Sequence, residues 1–177
     1  MVKSKSRLKR KSQTDGTGRE SGLKLARSLR GQDVQETELR LIPGLDEEVS
    51  EAFQGVKAVA ADTRPRLVDT TMLYAPRSGG VKRYLLSKKA WLAENRPDVA
   101  HSLVVPGARH RVGSDDLVRL HAAKLPFGDG YRWPSSVRRW GAWVSALKPS
   151  VIEAGDPYTP GQGALEAGQR VGCPVIG

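Results

Sequence analysis

The stretch that decides the fold is DTTMLYAPRSGGVKRYLLSKKAWLAENRPDVAHSLVVPG, residues 69–107. The residues from 66 to 74 read as a strand, because β-branched and apolar side chains predominate there. A helix-like apolar stripe follows over residues 81–95, and Lys88 is its only charged member. Residues 101–105 form a second apolar run of strand length. Strand, helix and strand in this order predict a βαβ unit with two parallel strands.

The chain beyond this unit continues the alternation of strands and helices. We predict strands at residues 117–126, 151–154 and 174–176, a helix at 134–147, and a helix from the N-cap Thr159 to about residue 170. Trp91 and Trp140 lie on the apolar stripes of two of these helices and are predicted core residues. The fold class predicted is α/β, with a Rossmann-like parallel sheet and helices on both of its faces.

Most of the positive charge lies in the first part of the chain. The formal net charge is +10, and residues 1–30 hold ten Lys or Arg against two Asp or Glu. Residues 1–33 are poor in large apolar side chains, so we predict a disordered basic tail, which is either a solvated extension or a weak contact for polyanions. Residues 34–64 are predicted to be a linker that can hold a short helix, with a helical stripe over 45–60. The Rossmann-like domain is expected to span 65–177.

The glycine pair Gly79-Gly80 falls between the first predicted strand and its helix. In parallel α/β sheets, ligands bind beyond the carboxyl ends of the strands, at turns of this kind. Glycines permit positive φ and close approach of another group, and a cap from Ser78 would leave first-turn N–H groups to bind an anion such as phosphate. Lys82 and Arg83 are near enough to add positive charge. The alternative is that the glycines only make a tight turn.

A second candidate site lies at the junction between residues 151–154 and the helix that begins near Thr159. Glu153 and Asp156 could accept hydrogen bonds from hydroxyl groups of a polar substrate, and Tyr158 could stack on it. The alternative is that Asp156 only shapes the turn before Pro157.

The sequence offers no catalytic residue that spacing alone identifies. The three histidines are scattered without an evident orienting partner, and no Cys/His cluster predicts a metal site or a cofactor. The single cysteine, Cys173, cannot form an internal disulfide, which fits a reducing cytoplasm. We therefore expect a cytoplasmic protein, with a peripheral position at the inner face of the membrane as the variant that the basic tail would favour.

Three segments together resemble the N-terminal domain of retaining glycosyltransferases of family 4. They are the 69–107 stretch, LPFGDGYRWP at 125–134, and PSVIEAGDPYTPGQGALEAGQRVGCPVIG at 149–177, in the order that the family has. The resemblance covers about residues 66–177. It implies one half of a GT-B fold, in which two Rossmann-like domains hold a nucleotide-sugar donor in the cleft between them.

This resemblance implies hexose transfer from a nucleotide diphosphate sugar to a lipid or saccharide acceptor, with retention. Gly79 and Gly80 would approach the donor diphosphate, with Lys82 and Arg83 beside them. Asp156, Tyr158 and Glu153 would line the acceptor side of the cleft. The donor is a substrate, so no cofactor is implied.

The resemblance also implies a second Rossmann-like domain, which this sequence does not contain. We therefore expect a truncated product that is inactive by itself. Two alternatives are a non-catalytic module that binds a phosphate-bearing ligand or a polyanion, and a remnant that does not fold stably.

Overall fold

The fold is described from a computed structural model, for residues 47–126 and 129–177. The predicted basic tail, residues 1–33, lies outside this range. Within it the helices are α1 (Glu47–Val59), α2 (Gly80–Asn95), α3 (Val137–Ala146) and α4 (Thr159–Val171). The strands are β1 (Arg66–Thr70), β2 (Ala100–Gly107), β3 (Arg111–Val112), β4 (Leu117–His121), β5 (Ala123–Lys124), β6 (Arg132–Trp133), β7 (Val151–Ala154) and β8 (Val175–Ile176).

Six strands form one sheet in the order β3-β4-β2-β1-β7-β8. Every neighbouring pair is parallel except β3 with β4, which is antiparallel at the edge. Strands β5 and β6 form a separate antiparallel pair. The predicted α/β class with a mostly parallel, Rossmann-like sheet is therefore confirmed. The two-residue strands β3 and β6 were not predicted, because so short a strand leaves no periodic pattern in the sequence.

The two faces of the sheet carry different cores. Val104 and Ile152 contribute to the larger core, which α1, α3 and α4 cover. Leu103 and Val105 point to the opposite face, where Leu85 of α2 packs against them. Strand β2 is buried along its whole length, as expected for a central parallel strand with helices on both sides.

Helix α1 lies in the segment 34–64, for which we predicted a linker with a short helix. The helix is present, and its Val49, Phe53 and Val56 are buried in the same core as the sheet. The glutamates Glu47 and Glu48 in its first turn suit the positive end of the helix dipole. The core thus begins before residue 65, where we expected the domain to start.

Three local expectations differ from the structure. Trp91 was predicted to be in the core but is 57% exposed, whereas Trp140 is buried as predicted. Ser78 does not cap α2: its hydroxyl bonds the backbone N–H and carbonyl of Ala75, and the N-cap is Gly79. The N-cap of α4 is Tyr158, one residue before the predicted Thr159.

Candidate functional site

A cavity of about 450 Å³ opens at the carboxyl ends of β1 and β7. The chain leaves β1 through α2 on one face of the sheet and leaves β7 through α4 on the other, so these neighbouring strands mark the topological switch point. Ligands of open α/β sheets bind at this position. The lining residues come from both strand ends and from the first turns of α2: Asp69, Thr70, Thr71, Gly80, Val81, Tyr84, Leu85, Glu153 and Gly155.

The glycine pair lies at the rim of this cavity, at the N-terminus of α2. A Cβ built on Gly79 or on Gly80 would meet no atom of the described residues within 4 Å. Neither glycine has a positive φ; that of Gly79 is −84°. Neither a positive φ nor a close contact therefore requires glycine at Gly80, whereas Gly79, at ψ −88°, lies outside the regions that other residues favour. The tight-turn explanation loses its main physical reason at Gly80. The first N–H groups of α2 have no intrahelical acceptor and are directed beyond the helix end.

Lys82 and Arg83 face a neighbouring groove and do not line the cavity itself. This groove, of about 500 Å³, is lined by Gly79, Lys82 and Arg83 together with Pro76, Ser78, Leu86, Ser87 and Ala90. The Lys82 ammonium lies 3.5 Å from the carbonyl oxygen of Pro76 and 5.4 Å from the centre of the Tyr74 ring. The glycine pair thus separates a basic groove from the cavity at the switch point.

Asp156 is buried and bonded to the backbone through both carboxylate oxygens. The N–H of Met72 donates to Oδ2 at 2.6 Å, and the N–H of Tyr158 donates to Oδ1 at 3.0 Å. These bonds join the loop after β1 to the loop after β7. This geometry favours the interpretation in which Asp156 shapes the turn before Pro157. Asp156 also borders a cavity of about 540 Å³ beside β8.

Tyr158 and Glu153, the other two predicted acceptor-side residues, lie in different surroundings. The Tyr158 ring is exposed and sits 5.9 Å from the ring of Trp133, tilted by 53°. Glu153 lines the cavity at the switch point, opposite Asp69 on the paired strand. Of the residues predicted for the two sites, the structure brings Gly80 and Glu153 into one cavity. Gly79, Lys82 and Arg83 line the neighbouring groove, and Asp156 borders the cavity beside β8.

Sequence reasoning missed a charged network behind this cavity. The Lys88 ammonium donates to Asp69 Oδ1 at 2.8 Å and to Glu153 Oε2 at 2.7 Å. The Tyr84 hydroxyl donates to Glu153 Oε1 at 3.3 Å. Burial alone would lower the pKa of Lys88, but its hydrogen bonds and charge interactions with the two carboxylates outweigh that effect and raise the pKa above its ordinary value of 10.5.

His101 joins the same network from β2. Its Nε2 lies 2.7 Å from Asp69 Oδ2, so this histidine does have the orienting partner that we did not find in the sequence. Its buried Nδ1 has no hydrogen-bond partner among the described residues. The sequence does contain a sign of this network, because charged or polar residues seldom lie in buried segments without a partner. Asp69, His101 and Glu153 fall within predicted buried strands. Lys88 falls within the predicted apolar stripe of α2.

Among the described residues, no group of three or more His, Cys, Asp or Glu is arranged to hold a metal ion. None of the helices in the described ranges combines the length and the apolarity that crossing a bilayer requires.

Fold and cavity define an α/β protein with a Rossmann-like, mostly parallel sheet and a pocket at its switch point. No protein-family model matches the sequence, and comparisons with curated proteins and with solved structures find no significant match.

Proposed function

We propose that this chain is the acceptor-side half of a retaining glycosyltransferase, which moves a hexose from a nucleotide diphosphate sugar to a lipid or saccharide acceptor. The resemblance of residues 66–177 to family 4 is the source of the proposal. The observation that carries it is the open space in front of Gly79 and Gly80 at the first turn of α2. Neither a positive φ nor a close contact requires Gly80, and the missing side chains leave room for a ligand atom to reach the backbone.

A diphosphate suits this position for electrostatic reasons. The free N–H groups at a helix N-terminus and the positive end of the helix dipole attract anions. The dipole contributes only about 0.3–1 kcal/mol, so further positive charge is needed. Lys82 and Arg83 supply it from the adjoining groove.

Stabilising the charge on the leaving diphosphate is the chemistry that such a site can contribute. In the proposed enzyme, a second Rossmann-like domain supplies the opposite wall of the cleft and the contacts to the donor sugar. This chain alone is therefore expected to bind but not to transfer hexose. Binding is the better test for that reason.

The test uses inorganic pyrophosphate as a probe and Gly80→Ala as the variant. A Cβ at this position meets nothing in the chain, and alanine in a helix is more stable than glycine by about 0.5–1 kcal/mol. We expect G80A to unfold at the same or a higher denaturant concentration. Its affinity for pyrophosphate, measured by calorimetry, should fall about tenfold or more, because the methyl group fills the approach to the N–H groups.

The cations provide a matched comparison. Lys82→Gln and Arg83→Gln should each weaken pyrophosphate binding, and the loss should shrink as salt is added. Lys57→Gln on α1 removes the same charge far from the groove and should leave binding unchanged. Equal affinities of G80A and the parent chain would refute the proposed diphosphate site.

A further inference from the structure

We propose that the cavity at the switch point binds a neutral, hydroxyl-bearing ring, and that it excludes the phosphates which the basic groove attracts. The two depressions on either side of Gly79-Gly80 differ in charge. The described lining of the cavity includes the carboxylates of Asp69 and Glu153 and no Lys or Arg, whereas the groove has Lys82 and Arg83. A phosphate in the cavity would face two like charges that share one ammonium, that of Lys88.

A buried hydroxyl group supplies the complementary chemistry. Thr71 lines the cavity and is fully buried. Its Oγ1 accepts a hydrogen bond from the N–H of Leu73, so the hydroxyl keeps its own hydrogen to donate, and it donates to no other group within the described residues. Thr70, the other threonine of the lining, turns its hydroxyl to Trp140 of α3 on the opposite face of the sheet. A buried donor without an acceptor is costly unless a ligand supplies one.

The cavity thus offers the hydroxyl donor of Thr71 on one side and carboxylate acceptors on the other. A sugar hydroxyl can both donate and accept, so a polyhydroxylated ring satisfies both sets of groups, while a phosphate dianion can only accept. The aliphatic surface of Val81 and Leu85 and the ring of Tyr84 provide apolar contact for the C–H face of such a ring. The volume of about 450 Å³ lies in the range of small-molecule sites.

This inference rests on the proposed function, because it assigns the neutral ring to the acceptor. It divides the ligands by charge: the phosphates lie at the backbone of the glycine pair and on its Lys82 side, and the ring lies on the Glu153 side. Lys88 acts as a positioning residue, since it holds both carboxylates in place from behind.

The experiment titrates the ¹⁵N-labelled full chain separately with methyl α-D-glucopyranoside and with inorganic pyrophosphate, and follows the amide NMR shifts. The hexoside should move the amides of Thr71 and Gly155, and pyrophosphate those of Gly79 and Lys82. Thr71→Val removes the hydroxyl and should weaken hexoside binding about fivefold, while Thr71→Ser keeps the hydroxyl and should bind within about twofold of the parent.

Glu153→Gln removes a charge without changing shape. It should lower hexoside affinity about fivefold, because a hydrogen bond to a charged group is stronger, and it should leave pyrophosphate affinity equal or higher. Glu94→Gln, on the exposed end of α2, is the matched control and should change neither. Thermal unfolding of each variant establishes that it is folded at the titration temperature.

The outcomes separate the two proposals. Pyrophosphate binding without hexoside binding overturns this inference and leaves the proposed function standing. Hexoside binding that T71V and E153Q weaken, without pyrophosphate binding, supports the inference and overturns the diphosphate site. Pyrophosphate shifts at Thr71 and Gly155, or equal hexoside affinities of T71V and T71S, would also overturn the inference.

Discussion

At the scale of single residues, Asp156 shows how one carboxylate fixes the loops around the cavity. It accepts the N–H groups of Met72 and Tyr158 while only 7% exposed. Asp156→Ala would leave both N–H groups without an acceptor, and each costs about 1–3 kcal/mol when buried. We expect D156A to lower the free energy of unfolding by about 2–4 kcal/mol, measured by urea denaturation.

The matched control for that change is Asp98→Ala. Asp98 is exposed and, among the described residues, its carboxylate pairs with Arg96 alone, so its loss should not measurably change the denaturation midpoint. Similar midpoints for D156A and D98A would mean that Asp156 does not hold the two loops, and would reopen its interpretation as a residue that binds acceptor hydroxyls.

Lys88 is the residue whose stabilising effect should depend on pH. Lys88→Met leaves Asp69 and Glu153 facing each other without their ammonium, and should cost about 2–3 kcal/mol at neutral pH. Its pKa is raised in the folded state, so the stabilisation is fully present below 10.5 and is lost as the pH rises through the folded value. The difference in unfolding free energy between the parent and K88M should therefore shrink above about pH 10.5.

The measurement is urea denaturation of both chains from pH 8 upward. Because both chains contain the same tyrosines, the effect of tyrosine ionisation on stability cancels when the unfolding free energies of the parent and K88M are compared at the same pH. A difference that stays constant through the alkaline range would show that the ammonium contributes nothing beyond the packing of its alkyl stem.

At the scale of elements, α2 covers only part of its face of the sheet. Leu85 is buried against Leu103 and Val105. Trp91 lies on another side of the helix, the side of Tyr84 and Lys88 that faces β7, and it stays exposed. Leu85→Ala should therefore destabilise the chain by about 2–4 kcal/mol, and Trp91→Ala, although it removes more atoms, should cost less than 1 kcal/mol. Chemical denaturation measures both, and a larger loss for W91A would contradict the packing described for α2.

The same helix shows what a sequence can and cannot predict. Its spacing predicted a helix over 81–95, and a helix is present at Gly80–Asn95. The spacing could not predict that Trp91 is exposed, because that depends on which strands lie opposite. Likewise, the position of Gly79-Gly80 between β1 and α2 was predictable, but the Asp69–Lys88–Glu153 contacts were not. They join residues 19 and 65 positions apart through the register of parallel strands.

At the scale of the whole molecule, α1 is where the prediction and the structure differ most. We predicted it to be part of a linker, but it packs in the core of the domain. The ring of Phe53 meets that of Trp143 edge to face, with centres 5.4 Å apart. Arg66, at the start of β1, donates from Nη2 to the carbonyl oxygen of Val59 at 2.5 Å and from Nη1 to Ser102 Oγ at 2.7 Å. Residues 47–64 therefore belong to the same core, and the loss of α1 should affect the entire sheet.

Phe53→Ala tests this cooperativity. Removing a buried phenylalanine from a packed core costs about 3–5 kcal/mol, a large share of the stability of a domain of this size. We expect tryptophan fluorescence, to which Trp143 and three other tryptophans contribute, and far-ultraviolet circular dichroism, which reports the sheet and helices, to shift together to lower urea concentration. Gln54→Ala, at the neighbouring exposed position of α1, should move neither transition. If only the fluorescence transition moved in F53A, α1 would be an independent attachment and the domain would begin near residue 65.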